Sequence, residues 1–374
     1  MPEERPAQSL PVQSLPGPVS APASVPASGT LPAAGPGTAI APAATSGTAS
    51  APVSPPAPRA TPRRVLALLG LAALACAAAF MLWDAKGPWS FLLPFRGTKL
   101  AALLLVGYAV AVSTVVFQSV TGNRILTPAI MGFDALFILI QSVLAFGLGG
   151  LAVSGLDPRV MFLAQVAVMT GFALALYAWL FLKGGRSLHL VLLVGIVLGI
   201  LFRSVAGLLQ RLMDPGAFLT LQDRLFASFN TVNPTLLGLS ALIVAGVSLA
   251  GLGRLHRLDV LHLGREGAIN LGLDHRRTVL GCLAVVSVLV SVSTALVGPV
   301  TFLGLLVANL AWMLVRSHRH ALVIPAAVLI AAICLVGGQA VLEHGFGMAT
   351  ALGILMEFFG GLFFLFLLLR GALR

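Results

Sequence analysis

Long apolar runs recur along the chain at 65–83, 98–118, 130–151, 160–182, 188–209, 235–253, 278–297, 300–316, 321–342 and 350–369. A helix needs about 20 apolar residues to cross a hydrocarbon core about 30 Å thick. In hydrocarbon each helical segment satisfies its own backbone N–H and C=O groups, so such runs are constrained to be helices. The expected fold is an all-α polytopic membrane protein of about ten transmembrane helices. The sequence is 58% hydrophobic and 9% charged, against about 25% charged in a soluble domain, so a water-facing surface cannot be built from it. The run 300–316 is the shortest, and only Gly298-Pro299 divides it from 278–297. Proline lacks a backbone donor and clashes with the preceding turn, so the chain is expected to break there. If those two runs merged, the count would be nine.

Residues 1–62 are built from Pro, Ala, Ser, Gly and Thr, with only Glu3, Glu4, Arg5 and Arg59 charged. Such a stretch cannot bury enough apolar surface to offset its ordering entropy. It is expected to be a disordered tail on the cytoplasmic side, with the membrane domain spanning 63–374. The other reading is a downstream start codon, with the tail never made. No basic stretch leads into a short apolar core, so a signal peptide is not expected.

The net charge of +11 does not point to nucleic acid, because the basic residues lie as short clusters between apolar runs. They read as topology signals instead. With the N-terminus inside, 16 Lys and Arg fall on inner segments and 7 on outer ones. Both termini are therefore expected in the cytoplasm, with the protein in the cytoplasmic (inner) membrane.

Reactive clusters are missing from the sequence. Cys76, Cys282 and Cys334 each lie inside a predicted span without metal-ligand spacing, and read as packing residues. His318 and His320 flank Arg319 in a basic turn, where solvated side chains are expected. No Gly-Lys dipeptide occurs, so there is no Walker-type phosphate loop. Neither catalytic residues, nor a metal site, nor a cofactor is expected. Glu357 is the sharpest ionisable group within a span. It reads as a pathway or subunit-contact residue, or as a protonated or snorkelling side chain in a packed bundle. Asp134 lies near the start of its span, where a solvated position is expected. Gln118, Gln141, Gln165, Asn309 and Gln339 can join helices. The Gly195/Gly199 pair permits close helix packing. An ion-coupled carrier usually needs several intramembrane carboxylates or histidines, and that reading is weakened here.

Two connections are longer than the rest. Residues 210–234 fall outside and 254–277 inside. The inner one alternates Leu258, Leu261, Ala268, Ile269, Leu271 and Leu273 with charge, and Gly264, Gly267 and Gly272 divide it. One or two short amphipathic helices are expected, seated on headgroups or on a partner.

The segment Phe117–Asp134 (FQSVTGNRILTPAIMGFD) resembles the FecCD family of ATP-binding-cassette importer permeases, in particular its catecholate-siderophore branch. Val297–Leu305 (VGPVTFLGL) and Gly360–Arg370 (GGLFFLFLLLR) are similar to two further family signatures. The likeness runs from about residue 65 to 372. It implies a ten-helix permease subunit that moves iron–siderophore complexes by alternating access. Cobalamin and haem importers share that fold. The implied partners are a second permease subunit, identical or different, two ATPase subunits on the cytoplasmic face, and a periplasmic or lipoprotein binding protein. Gly264–Asp274 (GREGAINLGLD) is similar to the family's coupling loop, which implies ATPase contacts at Glu266, Ala268, Leu271 and Gly272. Before the second helix the family carries a basic pair that meets the binding protein, and Arg96-Gly-Thr-Lys99 stands at that place. Ala308-Asn309 replaces a Pro-His pair common in the family.

Overall fold

The computed structural model describes residues 61–83, 88–149, 155–182, 188–253, 255–345 and 352–369. All of them belong to the second of two compact units, Pro58–Arg374. The N-terminal tail lies outside the described residues. So do several cations of the topology count: Lys86, Lys183, Arg186, Arg254, Arg370 and Arg374.

The described residues form thirteen α-helices and one short 3₁₀ turn, Pro128–Met131. In chain order the helices are α1 (Pro62–Leu82), α2 (Trp89–Thr121), α3 (Phe133–Leu148), α4 (Pro158–Leu182), α5 (Leu188–Leu212), α6 (Pro215–Leu225) and α7 (Pro234–Leu252). There follow α8 (Leu255–Leu261), α9 (Gly264–Asn270), α10 (His275–Val297), α11 (Leu303–Val315), α12 (His320–Gly345) and α13 (Leu352–Leu369). Seven helices (α1, α2, α4, α5, α7, α10 and α12) are long and apolar enough to cross a membrane, and α3, α11 and the stretch Leu352–Phe366 of α13 are shorter apolar stretches. The predicted runs thus each fall largely on a helix, but α3 and α11, at 16 and 13 residues, do not have the length of a full crossing.

Local chemistry sets several helix starts. Asn233 Oδ1 accepts from the Thr235 N–H at 2.9 Å, with Pro234 in the first turn of α7. Asp214 caps α6 in the same way ahead of Pro215. Asp274 accepts from the Arg277 N–H at the start of α10. Each side chain satisfies a donor that the helix leaves unpaired, and its proline neighbour, where present, needs no donor.

The pillar of the bundle is α2, whose 33 residues extend about 50 Å. It packs chiefly on α10 and α12. Leu103, Val106, Ala109, Ala111, Val115 and Phe117 are buried along it. Lipid is as apolar as these side chains, so close packing, not water exclusion, holds such helices together. The clearest close approach is α5 on α3. A Cβ at Gly199 would stand 3.1 Å from the Gly132 Cα, and one at Gly195 would stand 3.2 Å from the Met131 carbonyl oxygen. The predicted GxxxG pair thus receives the turn that begins α3. Gly132 itself has φ +92°, a left-handed conformation natural only to glycine.

Candidate functional site

Two regions carry polar groups that packing alone does not require: a junction inside the bundle and a helical loop on one face.

The junction exists because α3 and α11 are short. Their 16 and 13 residues reach about 24 and 20 Å, less than a hydrocarbon core. Irregular backbone enters between them, which is tolerated at membrane depth only where protein or a cavity shelters it. The Ser228 N–H donates to the Val297 carbonyl at 2.9 Å. Gly298, at φ +101°, leaves only 3.1 Å between an added Cβ and the Ala227 Cα. The predicted Gly-Pro break is therefore a tight crossing of two loops. Beside it, the Thr301 hydroxyl lies 3.0 Å from Asp134 Oδ2 and 3.2 Å from Glu357 Oε1. Thr301 has one hydroxyl hydrogen and so donates to one carboxylate at a time. A cavity of about 30 Å³, lined in part by Ser113, Thr114, Asp134, Ser293 and Thr301, adjoins them. That is room for about one water.

Glu357, singled out in the sequence, is thus joined to α3 through the loop before α11, while its residue stays exposed. Asp134 departs from expectation. It is only 4% exposed, because α3 begins within the bundle and not at its surface.

On the loop face, α8 and α9 are the expected pair of short helices. Leu258, Leu261 and Ala268 point inward and are buried, whereas Leu263, Ile269 and Leu271 are exposed at 65%, 50% and 64%. Glu266 is exposed in the first turn of α9, where its charge opposes the helix dipole favourably. Gly272, at φ +78°, ends the helix, and its N–H donates to Ile269 at 2.9 Å. Among the sequence-predicted contacts, Glu266, Leu271 and Gly272 are therefore open to a partner. Ala268 is not: it has no exposed surface and anchors α9 to its own subunit. A seven-residue helix is too short for spacing to distinguish its two faces.

A polar network fastens this loop to the bundle. Asp259 Oδ1, on α8, accepts the backbone N–H of His320 at 2.8 Å and lies 2.6 Å from His320 Nδ1. The carboxylate so caps the N-terminus of α12 from another element. Burial alone would raise the Asp259 pKa, but the His320 hydrogen bonds and the nearby His320 and Arg319 charges leave it below the ordinary carboxylate value. His320 Nε2 lies 2.6 Å from the Ser119 hydroxyl of α2. His320 is fully buried, which overturns the expectation of a solvated loop histidine; His318 is exposed as expected. His262, just beyond α8, stacks on Trp312 of α11 with ring centroids 5.5 Å apart. Burial, then the neighbouring His320, His318 and Arg124, hold its imidazole below its ordinary pKa. Trp312 Nε1 donates to Gln118 Oε1 at 3.2 Å. Gln118 and Asn309 both donate to the Arg124 carbonyl, at 2.6 and 3.2 Å. Asn309, the departure from Pro-His, thereby pins the loop after α2. Among the described residues no group of three His, Cys, Asp or Glu is arranged to hold a metal ion.

On the opposite face, Arg96 and Lys99 differ from expectation. They lie within α2 and not before it, because the apolar stretch from Trp89 already continues the helix. Arg96 Nη1 donates to the Phe80, Met81 and Trp83 carbonyls at the end of α1, at 2.9, 3.2 and 2.8 Å. Lys99 is buried and pairs with Glu343 of α12 at 3.0 Å. Both cations have internal partners.

A bundle of long apolar helices, with short ones meeting at a polar junction, defines a multi-pass membrane protein. The FecCD transport family model matches residues 65–370, and the chain belongs to that family. It is 44% identical over 309 residues to the petrobactin import system permease protein YclO of Bacillus subtilis, across 82% of this chain and 97% of that one. It is 34% identical to the petrobactin import system permease protein FatC of Bacillus anthracis, across 74% and 78% of the two chains. The fold superposes on a metal-chelate type ABC transporter in an inward-facing conformation with a TM-score of 0.71, at 22% identity, covering 83% of this chain and all of that one. The protein is thus a transporter permease subunit, not an enzyme.

Proposed function

We propose that this chain carries a ferric siderophore complex across the cytoplasmic membrane as one of two permease subunits, with its energy supplied by ATPase subunits seated on α8 and α9. The observation that carries the docking assignment is the exposed Leu263, Ile269 and Leu271 beside exposed Glu266, on a loop whose other face is anchored. An apolar patch rimmed by charge suits a protein partner. The excess of basic residues on the same side supports placing that face in the cytoplasm. The 44% identity to a petrobactin permease favours a siderophore over haem or cobalamin. A binding protein then docks on the opposite face, which Arg96 and Lys99 organise by fixing the ends of α1 and α12. Glu357 and Asp134 line or adjoin the path. Differential binding of ATPase and binding protein to the two states drives alternating access.

The test is uptake of radiolabelled ferric petrobactin in cells lacking the gene, complemented with wild type, Glu266→Arg or Leu271→Asp. Both variants are expected to reach the membrane, lose co-purifying ATPase and lower uptake by roughly tenfold or more. If deletion leaves uptake unchanged, the substrate assignment fails, and haem and cobalamin uptake in the same strains decide between the alternatives. If the variants keep their ATPase, the docking assignment fails.

A further inference from the structure

We infer that His320 is a positioning residue of transport: a joint through which displacement of the α8–α9 loop is passed to α2 and α12. The inference rests on the docking role proposed for that loop.

Three observations converge on it. The His320 ring is fully buried and contacts both neighbours at 2.6 Å, Asp259 on the loop side and Ser119 on the α2 side. The same Asp259 oxygen accepts the His320 backbone N–H, so moving α8 also uncaps α12. His262 adds a second hold, stacked on Trp312 at 5.5 Å and edge-on to His320 at 6.1 Å. A segment held at one point can pivot, whereas one held at two points must carry its neighbours with it.

The joint borders open space. A cleft of about 600 Å³ adjoins it, lined by Leu255 and Leu258 of α8, by Val112 and Val116 of α2, and by His320 and Ile324 of α12. Close packing therefore does not fill the space between these three helices, and there the polar contacts at His320 carry the connection. Ser119 also sits one residue from Gln118, which reaches both Trp312 and the loop after α2. Motion delivered at Ser119 therefore enters the segment that leads, through the 3₁₀ turn, to Asp134 at the junction.

The bonds can be severed singly. In His320→Asn the amide nitrogen takes the place of Nδ1 and keeps the Asp259 contact. In His320→Gln it takes the place of Nε2 and keeps the Ser119 contact. The complex is purified from the native host through a tag on this chain and reconstituted in vesicles with its binding protein. ATP hydrolysis and uptake of radiolabelled ferric petrobactin are then measured together. His320→Ala, His320→Gln and Asp259→Ala are expected to retain the ATPase subunits and hydrolyse ATP, while the ATP consumed per chelate rises by about tenfold. The effects of His320→Ala and Asp259→Ala are expected not to add in the double variant. If His320→Ala does not assemble, His320→Asn and Ser119→Ala are read instead, with the same expected rise. An unchanged ratio, or hydrolysis and uptake falling together in proportion to recovered complex, assigns His320 a structural role only and overturns the joint. Retention of the ATPase by Glu266→Arg marks the separate failure of the docking assignment, and the joint then has nothing to transmit and falls with it.

Discussion

Gly132→Val is expected to remove most of the folded protein from the membrane. Two costs combine at this position. The backbone holds φ +92°, which strains any L side chain, and an added Cβ would stand 3.0 Å from the Gly199 Cα of α5. Backbone, unlike a flexible side chain, cannot move aside without shifting a helix. Strain and overpacking together cost roughly 2–6 kcal/mol, comparable to the whole stability of many domains. The measurement is the yield of monodisperse protein in mild detergent and its thermal midpoint. Gly207→Ala on the same helix α5 is the control. A Cβ there meets nothing within 4 Å, and alanine favours helix, so its midpoint should hold or rise slightly. Equal behaviour of the two variants would rule out close packing of the α3 turn on α5.

Lys99→Ala is expected to destabilise the protein more than the paired replacement Lys99→Met with Glu343→Gln. The Lys99 and Glu343 side chains are 7% and 13% exposed and 3.0 Å apart. Removing one partner leaves the other charge buried and unpaired, at a cost of about 3–5 kcal/mol. Replacing both with neutral groups of similar size avoids that cost. The amide oxygen introduced by Glu343→Gln would still accept from Gln339, which donates to Glu343 at 2.9 Å in the native chain. The test compares thermal midpoints of the single and paired variants. If the single replacement is as stable as wild type, water reaches the pair and the burial argument fails. Uptake adds a second reading: loss of uptake in a stable paired variant would show that the charges themselves, not the fold they hold, are used on that face.

The helical frame was legible because hydrocarbon imposes a length on each crossing. Apolar length alone marks the runs 188–209 and 321–342, which fall within the helices Leu188–Leu212 and His320–Gly345, and a missing donor marks the break at Gly298-Pro299. The site was legible only in part. Glu266 and Leu271 stood out as a charge and an apolar residue in a polar loop, and both are exposed. His320 did not, because a His-Arg-His turn looks solvated unless its acceptor is known, and Asp259 lies 61 residues earlier. Lys99 looked like an outer cation for the same reason, with Glu343 244 residues away. Ala268 misled because one turn of helix carries too few residues to tell its buried side from its exposed one. Asp134 misled because the position of a residue within an apolar run does not report the depth at which the helix starts.

α1 leads to a different kind of consequence. Its 21 residues make about 31 Å, and Leu68, Leu71 and Leu74 are 66%, 66% and 70% exposed. It packs chiefly on α12, and its far end is clamped by Arg96 and by the stacking of Trp83 on His344 at 4.9 Å. Most of its length is therefore left uncovered by the rest of the subunit. A bilayer thicker or thinner than α1 must tilt it or deform around it, at fractions of a kcal/mol per Å. The clamp keeps that strain from dissipating at the end of the helix and directs it into α2 and α12. Acyl-chain length thus becomes a variable to which this subunit is mechanically exposed.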